Sequence, residues 1–103
     1  MWAQLIKVRL KPGQEGGLER LYQQLQATEQ PGSGLVRSTA MRDQKDPSIA
    51  YMLIVFESEE KARERERDSR REERLREVRA TMAEIFEGPP EFTDLTVESE
   101  HTG

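Results

Sequence analysis

Seven side chains on strand-like segments have the types that a pocket for a flat apolar molecule needs: Trp2, Gln4, Arg37, Met41, Tyr51, Met52 and Phe56. Rings and thioethers give an adaptable apolar wall, while an amide, a guanidinium or a phenol fixes orientation. Trp2, Arg37, Tyr51 and Phe56 are the candidate substrate-pocket residues, as lining and orienting groups. The same types equally suit a core or a subunit interface. Tyr22 and Tyr51 are the only phenols able to donate to a ligand carbonyl. No catalytic residue is assigned. The single histidine, His101, sits within the last three residues, a poor place for a proton shuttle. There is no cysteine, so thiolate nucleophiles and thiolate metal sites are excluded, and one histidine is too few for a histidine-based metal centre. The glycine-rich phosphate motifs, HExxH and GxSxG are all missing. No cofactor or metal is expected.

The segments that must position these residues follow from periodicity. Residues 2–10 alternate, with Trp2, Ile6, Val8 and Leu10 on one face and Ala3, Leu5, Lys7 and Arg9 on the other. Pro12-Gly13 ends that strand. Leu18, Leu21, Tyr22 and Leu25 mark one face of a helix over about 14–28, whose first turn Gly16-Gly17 should fray. PGSG at 31–34 is a loop, 35–43 a second strand, and Asp46-Pro47 a turn. Residues 49–56, IAYMLIVF, are apolar on both parities, the pattern of a strand covered on both faces. Leu75, Val78, Met82 and Ile85 return to helical spacing before Gly88-Pro89-Pro90, and EFTDLTVES reads as a last strand.

Residues 60–78 carry eight basic and seven acidic side chains, a net of +1, and the whole chain carries −4. That mixture lacks the one-sign block that counterion release from nucleic acid requires, so no nucleic-acid partner is expected. Opposite charges recur three residues apart, which favours helix by about 0.2–0.5 kcal/mol per pair. Ser58 reads as an N-cap and Ser69 with Glu72 as a capping box, predicting two successive helices, about 58–67 and 70–87, with the charges on a solvated face; the first, with Ala62 as its sole apolar residue, lies on the surface or borders an opening.

The order β-α-β-β-α-β, with the second helix broken in two, is an α+β, ferredoxin-like plan with an antiparallel sheet. Two helices can cover only one face of a four-stranded sheet, so the two-sided third strand predicts a homodimer joined through the sheet face. One domain spans 1–98 and 99–103 form a polar tail. No apolar run approaches membrane-spanning length and no leader pattern precedes the first strand, so a cytoplasmic protein without a membrane partner is expected.

The stretches RLKPG at 9–13, EQPGSGLVRSTAMRDQKDPSIAYMLIVFESEEKAR at 29–63 and EIFEGPPEFTDLTVE at 84–98 resemble the antibiotic biosynthesis monooxygenase family over about residues 2–98. The resemblance implies a dimeric α/β barrel. It also implies an oxygenase that needs no cofactor and acts on anthrones or quinols, the substrate's own electrons reducing oxygen. Phe56 stands where many members carry tryptophan, and Ser58 to Thr81 contains none of the histidines that members place in that helix. The asparagine, tryptophan and histidine of the haem-degrading branch fall on Ile6, Arg65 and Leu75, so haem degradation is not implied. Two readings follow: an oxygenase for a small aromatic molecule, or a non-catalytic dimeric ligand-binding or regulatory module on the same fold. An unfilled pocket with a buried polar group favours the first, a pocket filled by Met41, Met52 and Phe86 favours the second, and a protein with no cavity would be a structural interaction module.

Overall fold

A computed structural model describes residues 1–103. The elements are β1 (Trp2–Arg9), α1 (Gly17–Ala27), β2 (Leu35–Arg42), β3 (Ile49–Phe56), α2 (Glu59–Glu66), α3 (Ser69–Ile85) and β4 (Glu91–Thr96). The strands form one antiparallel sheet in the order β2-β3-β1-β4, the ferredoxin-like α+β arrangement that the sequence predicts. Trp2 opposes Phe56 and Ile6 opposes Met52 across the central pair, while Gln4 opposes Asp94 and Ile6 opposes Phe92 towards the outer strand. A bulge between Leu35 and Arg37 shifts the register of β2, so that Leu35 pairs with Phe56 and Arg37 with the adjacent Val55.

Strand alternation sorts the side chains. Val8 and Ala50 face the helices and pack with Leu18 and Leu21 of α1 and with Val78 and Ile85 of α3. Trp2 and Phe56 form a second, smaller cluster with Ala62 of α2. The opposite face displays Leu5, Lys7, Tyr51, Leu53, Thr39 and Met41 in register and carries no helix. After β4 the chain turns back: the Val97 amide donates to the Met1 carbonyl at 3.4 Å and Arg37 pairs with Glu100, which brings Glu100 to the Arg37–Val55 end of that open face.

The charged stretch does form two helices, and one cap differs from expectation. Ser58 caps α2, its hydroxyl accepting from the Lys61 amide at 3.1 Å. The α3 cap is Asp68, not Ser69: its carboxylate accepts from the Arg70 amide at 2.9 Å and from the Arg70 guanidinium at 2.7 Å. A carboxylate suits the positive end of a helix better than a hydroxyl does, and Arg70 holds it there. The first turn of the expected helix, residues 14–16, is not helical, as the Gly16-Gly17 pair predicts, and α1 begins at Gly17. Gly16 is its N-cap residue, and a Cβ built on Gly17 would stand 2.7 Å from Ile85 Cγ2, so close helix packing requires a glycine here. No helix is long and apolar enough to cross a membrane.

Candidate functional site

Between the helix-facing side of the sheet and α1, α2 and α3 lies a cavity of about 320 Å³. Its floor is Ile6, Val8, Met52 and Ile54, its far walls are Leu21 and Leu25 on one side and Leu75 and Met82 on the other, and Phe92 stands at the outer strand. A second space of about 250 Å³ runs from it towards β2 and shares Tyr22, Leu25, Met52, Ile54 and Arg65. Volume and apolar lining suit a compact ring system with few polar anchors. The strand residues on this floor are only half-buried because the helices do not close down on them.

The polar groups of the wall are few. Tyr22 borders both spaces, and burial pushes its phenol above the usual value, with Arg42 opposing the shift. It therefore stays protonated near neutrality and is available as a donor. Gln4 donates to Asp94 at 3.0 Å, and Arg63 donates to the other Asp94 oxygen at 3.1 Å and to Glu66 at 3.1 Å, lashing α2 to β4. The Arg63 guanidinium lies 5.1 Å from the Trp2 ring centroid. This explains how α2, with Ala62 as its only apolar residue, stays on the sheet: the alanine seats under Trp2 and Phe56 while arginines tie its flanks.

Two arginines of the charged stretch face inward, so the stretch is not simply a solvated face and its first helix borders an opening. Arg65 lines both spaces, pairs with Glu29, and lies over the Phe56 ring at 5.2 Å. Arg71 is 7% exposed and lines the larger cavity. One of its terminal nitrogens donates to the Arg65 carbonyl at 3.3 Å. Burial pushes the Arg71 guanidinium down from its ordinary value and Arg65 adds to the shift, while the carboxylates of Glu29, Asp68 and Glu66 oppose it.

Of the four candidate pocket residues, the fold brings two together. Trp2 and Phe56 meet at 6.2 Å between ring centroids, tilted by 47°, at the α2 end of the helix-facing side. Both are nearly fully buried and neither is among the cavity-lining residues. Tyr51 borders the cavity, although its register opposite Lys7 and Met41 places its ring on the open face of the sheet. Arg37 opposes Val55 on that open face and pairs with Glu100, away from the cavity. Met41 is exposed on the same face, whereas Met52 and Phe86 line the cavity without filling it. Tyr22, one of the two phenols the sequence offers as a donor, is in the wall, whereas Arg65 and Arg71 are wall residues that the sequence does not mark as binding groups. One signal for Arg71 existed, because it lies four residues before Leu75 and so extends the Leu75–Val78–Met82 stripe by one turn. No group of three or more histidine, aspartate or glutamate side chains is placed to hold a metal ion.

A family model described as Antibiotic biosynthesis monooxygenase matches residues 1–70. Several solved structures share the fold. A Bordetella bronchiseptica protein provisionally named an antibiotic biosynthesis monooxygenase is 16% identical, with a TM-score of 0.74, over 95% of this chain and 97% of its own. A Pseudomonas aeruginosa protein is 15% identical, with a TM-score of 0.71, over 95% of this chain and 94% of its own. A conserved protein of Methanosarcina mazei is 15% identical, with a TM-score of 0.74, over 95% and 94%. At these identities the likeness is one of fold. No curated protein matches the chain.

Proposed function

This chain belongs to the antibiotic biosynthesis monooxygenase family, and on that footing we propose that it is a cofactor-independent monooxygenase for a small aromatic quinol or anthrone bound between sheet and helices. The observation that carries the reading is the unfilled apolar cavity with Tyr22 and Arg71 in its wall. In such a reaction an anthrone methylene and one molecule of oxygen yield a quinone carbonyl and one water. The substrate's carbanion supplies the electrons, so the protein's task is to stabilise the anion, exclude bulk water and hold oxygen close. An apolar floor of Ile6, Met52 and Ile54 provides the desolvation. The Tyr22 phenol is the donor suited to the oxyanion that forms as the methylene loses its proton.

The working form in this proposal is a cytoplasmic homodimer joined through the open sheet face. The support is physical: β3 is apolar on both parities, Leu5 and Leu53 are half-buried without a covering helix, and Met41 remains 42% exposed beside them. A second copy buries such a face at no cost in new chain.

Oxygen-electrode measurements on the purified protein with a panel of anthrones and quinols, without added metal or flavin, test the reading. Uptake above the protein-free rate with formation of the matching quinone is the expected result. An intact protein that binds members of the panel and consumes no oxygen would instead be a ligand-binding module.

A further inference from the structure

We infer that the ligand of the cavity carries a carboxylate, received by Arg71. The inference rests on the cavity being the binding site, as proposed above, and adds the chemical class of what it takes.

The cavity wall contains four charged residues, Arg65, Glu66, Arg71 and Arg79. Three have partners of opposite charge: Arg65 has Glu29, Glu66 has Arg63, and Arg79 has Glu72 at 3.2 Å. Arg71 has none. Asp68, which precedes it on the same helix start, is engaged by Arg70. Arg71 is nonetheless the most deeply buried charged side chain of the protein. A buried ion without a counter-ion is unfavourable, and a guanidinium does not escape by losing its proton.

The free part of the group has a definite shape. One terminal nitrogen, Nη1, is used on the Arg65 carbonyl. Nε is fully buried with no partner, and Nη2 makes no hydrogen bond to protein. These two nitrogens form the side edge of the guanidinium fork, which accommodates the two oxygens of a carboxylate side by side once a small turn of the side chain uncovers Nε. Arg71 also sits in the first turn of α3, where the helix's own field opposes a cation and welcomes an anion. Arg71 lines an apolar cavity sized for a ring system, so the ligand class is an aromatic carboxylic acid, with hydroxyls on the ring if the oxygenase reading holds.

Titration calorimetry with 2-naphthoate and its neutral isostere 2-naphthamide tests this. The wild-type protein should bind the carboxylate at least about tenfold more tightly, the ratio expected when one ionic hydrogen-bonded pair is formed. Arg71→Met should erase the preference and Arg71→Lys should keep part of it. Should Arg71→Met fail to fold, the wild-type Arg71 Nε–H resonance gives the same answer: naphthoate should shift it and naphthamide should not. Equal affinity for the two probes, binding of neither, or a preference that survives in Arg71→Met overturns the inference. The oxygenase reading falls separately: carboxylate preference without oxygen uptake removes the reaction and keeps the site. Uptake of neutral quinols with no carboxylate preference does the reverse.

Discussion

Replacing Glu29 with glutamine tests whether the charged stretch is a wall of the cavity or a solvated surface. Glutamine keeps the shape and the contact with the Ser33 hydroxyl, 3.2 Å away, and removes the charge opposite Arg65. An exposed pair contributes about 0.2–1 kcal/mol, whereas stripping one partner from a fully buried pair costs about 3–5 kcal/mol. Here the Arg65 side chain is 14% exposed and the Glu29 side chain 24%, so the pair lies between those limits and nearer the buried one. Arg65 Nε already has no partner, so the guanidinium has little to fall back on. A loss of roughly 2 kcal/mol follows, the size of a hydrogen bond to a charged group. For a domain of this length that lowers the thermal midpoint by about 8–16 °C. Urea unfolding of the wild type, Glu29→Gln, Arg65→Met and the double variant closes a cycle, in which a coupling of at least about 1 kcal/mol is expected. Because the pair is mostly shielded, raising salt from about 0.1 to 1 M should leave most of that coupling in place. A Glu29→Gln loss below about 0.5 kcal/mol that disappears in high salt would make this an ordinary surface pair and refute the reasoning.

Gly17→Ala should destabilise the protein by about 1 kcal/mol in urea unfolding: the helix-propensity gain of up to about 1 kcal/mol is outweighed by about 1–3 kcal/mol of overpacking against the fully buried Ile85. Ser58→Ala should cost about 0.5–2 kcal/mol, while Ser69→Ala should stay within about 0.5 kcal/mol of wild type because Asp68 is the cap. Arg70 holds the Asp68 carboxyl down to about 2. A carboxyl depressed on folding stabilises fully above its unfolded value, near pH 4, and loses that contribution as pH falls through about 2. Asp68→Asn should therefore flatten the stability profile across that window, and an unchanged acid limb would contradict the cap.

Much of the fold is legible because local rules agree. The two-sided run of β3 appears with the predicted bounds Ile49–Phe56, and the α1 stripe of Leu18 and Leu21 is core. Helix starts were harder. Asp68 and Ser69 are both good caps, and only Arg70, two residues on, decides between them by gripping the carboxylate. The glycines at the start of α1 look like a weakness until Ile85, 68 residues later in the chain, is seen against Gly17. The site was the least legible part. Strand alternation sends the Tyr51 ring, and the bulge after Leu35 sends Arg37, to the face opposite the Met52 floor, and a stretch of eight basic and seven acidic residues hides which two arginines turn inward. Charge spacing on one helix carries no information about a groove formed by three.

The most direct test of the account is oxygen consumption by wild type and Met52→Trp, with the best substrate of the anthrone and quinol panel. Met52 lies on the floor shared by both spaces, and an indole there fills the room a substrate needs. The account predicts uptake by the wild type and its loss in a Met52→Trp protein whose urea midpoint is at least preserved. Uptake that continues in the filled variant, or no uptake by the wild type with any member of the panel, would contradict the claim that this cavity is an oxygenase site.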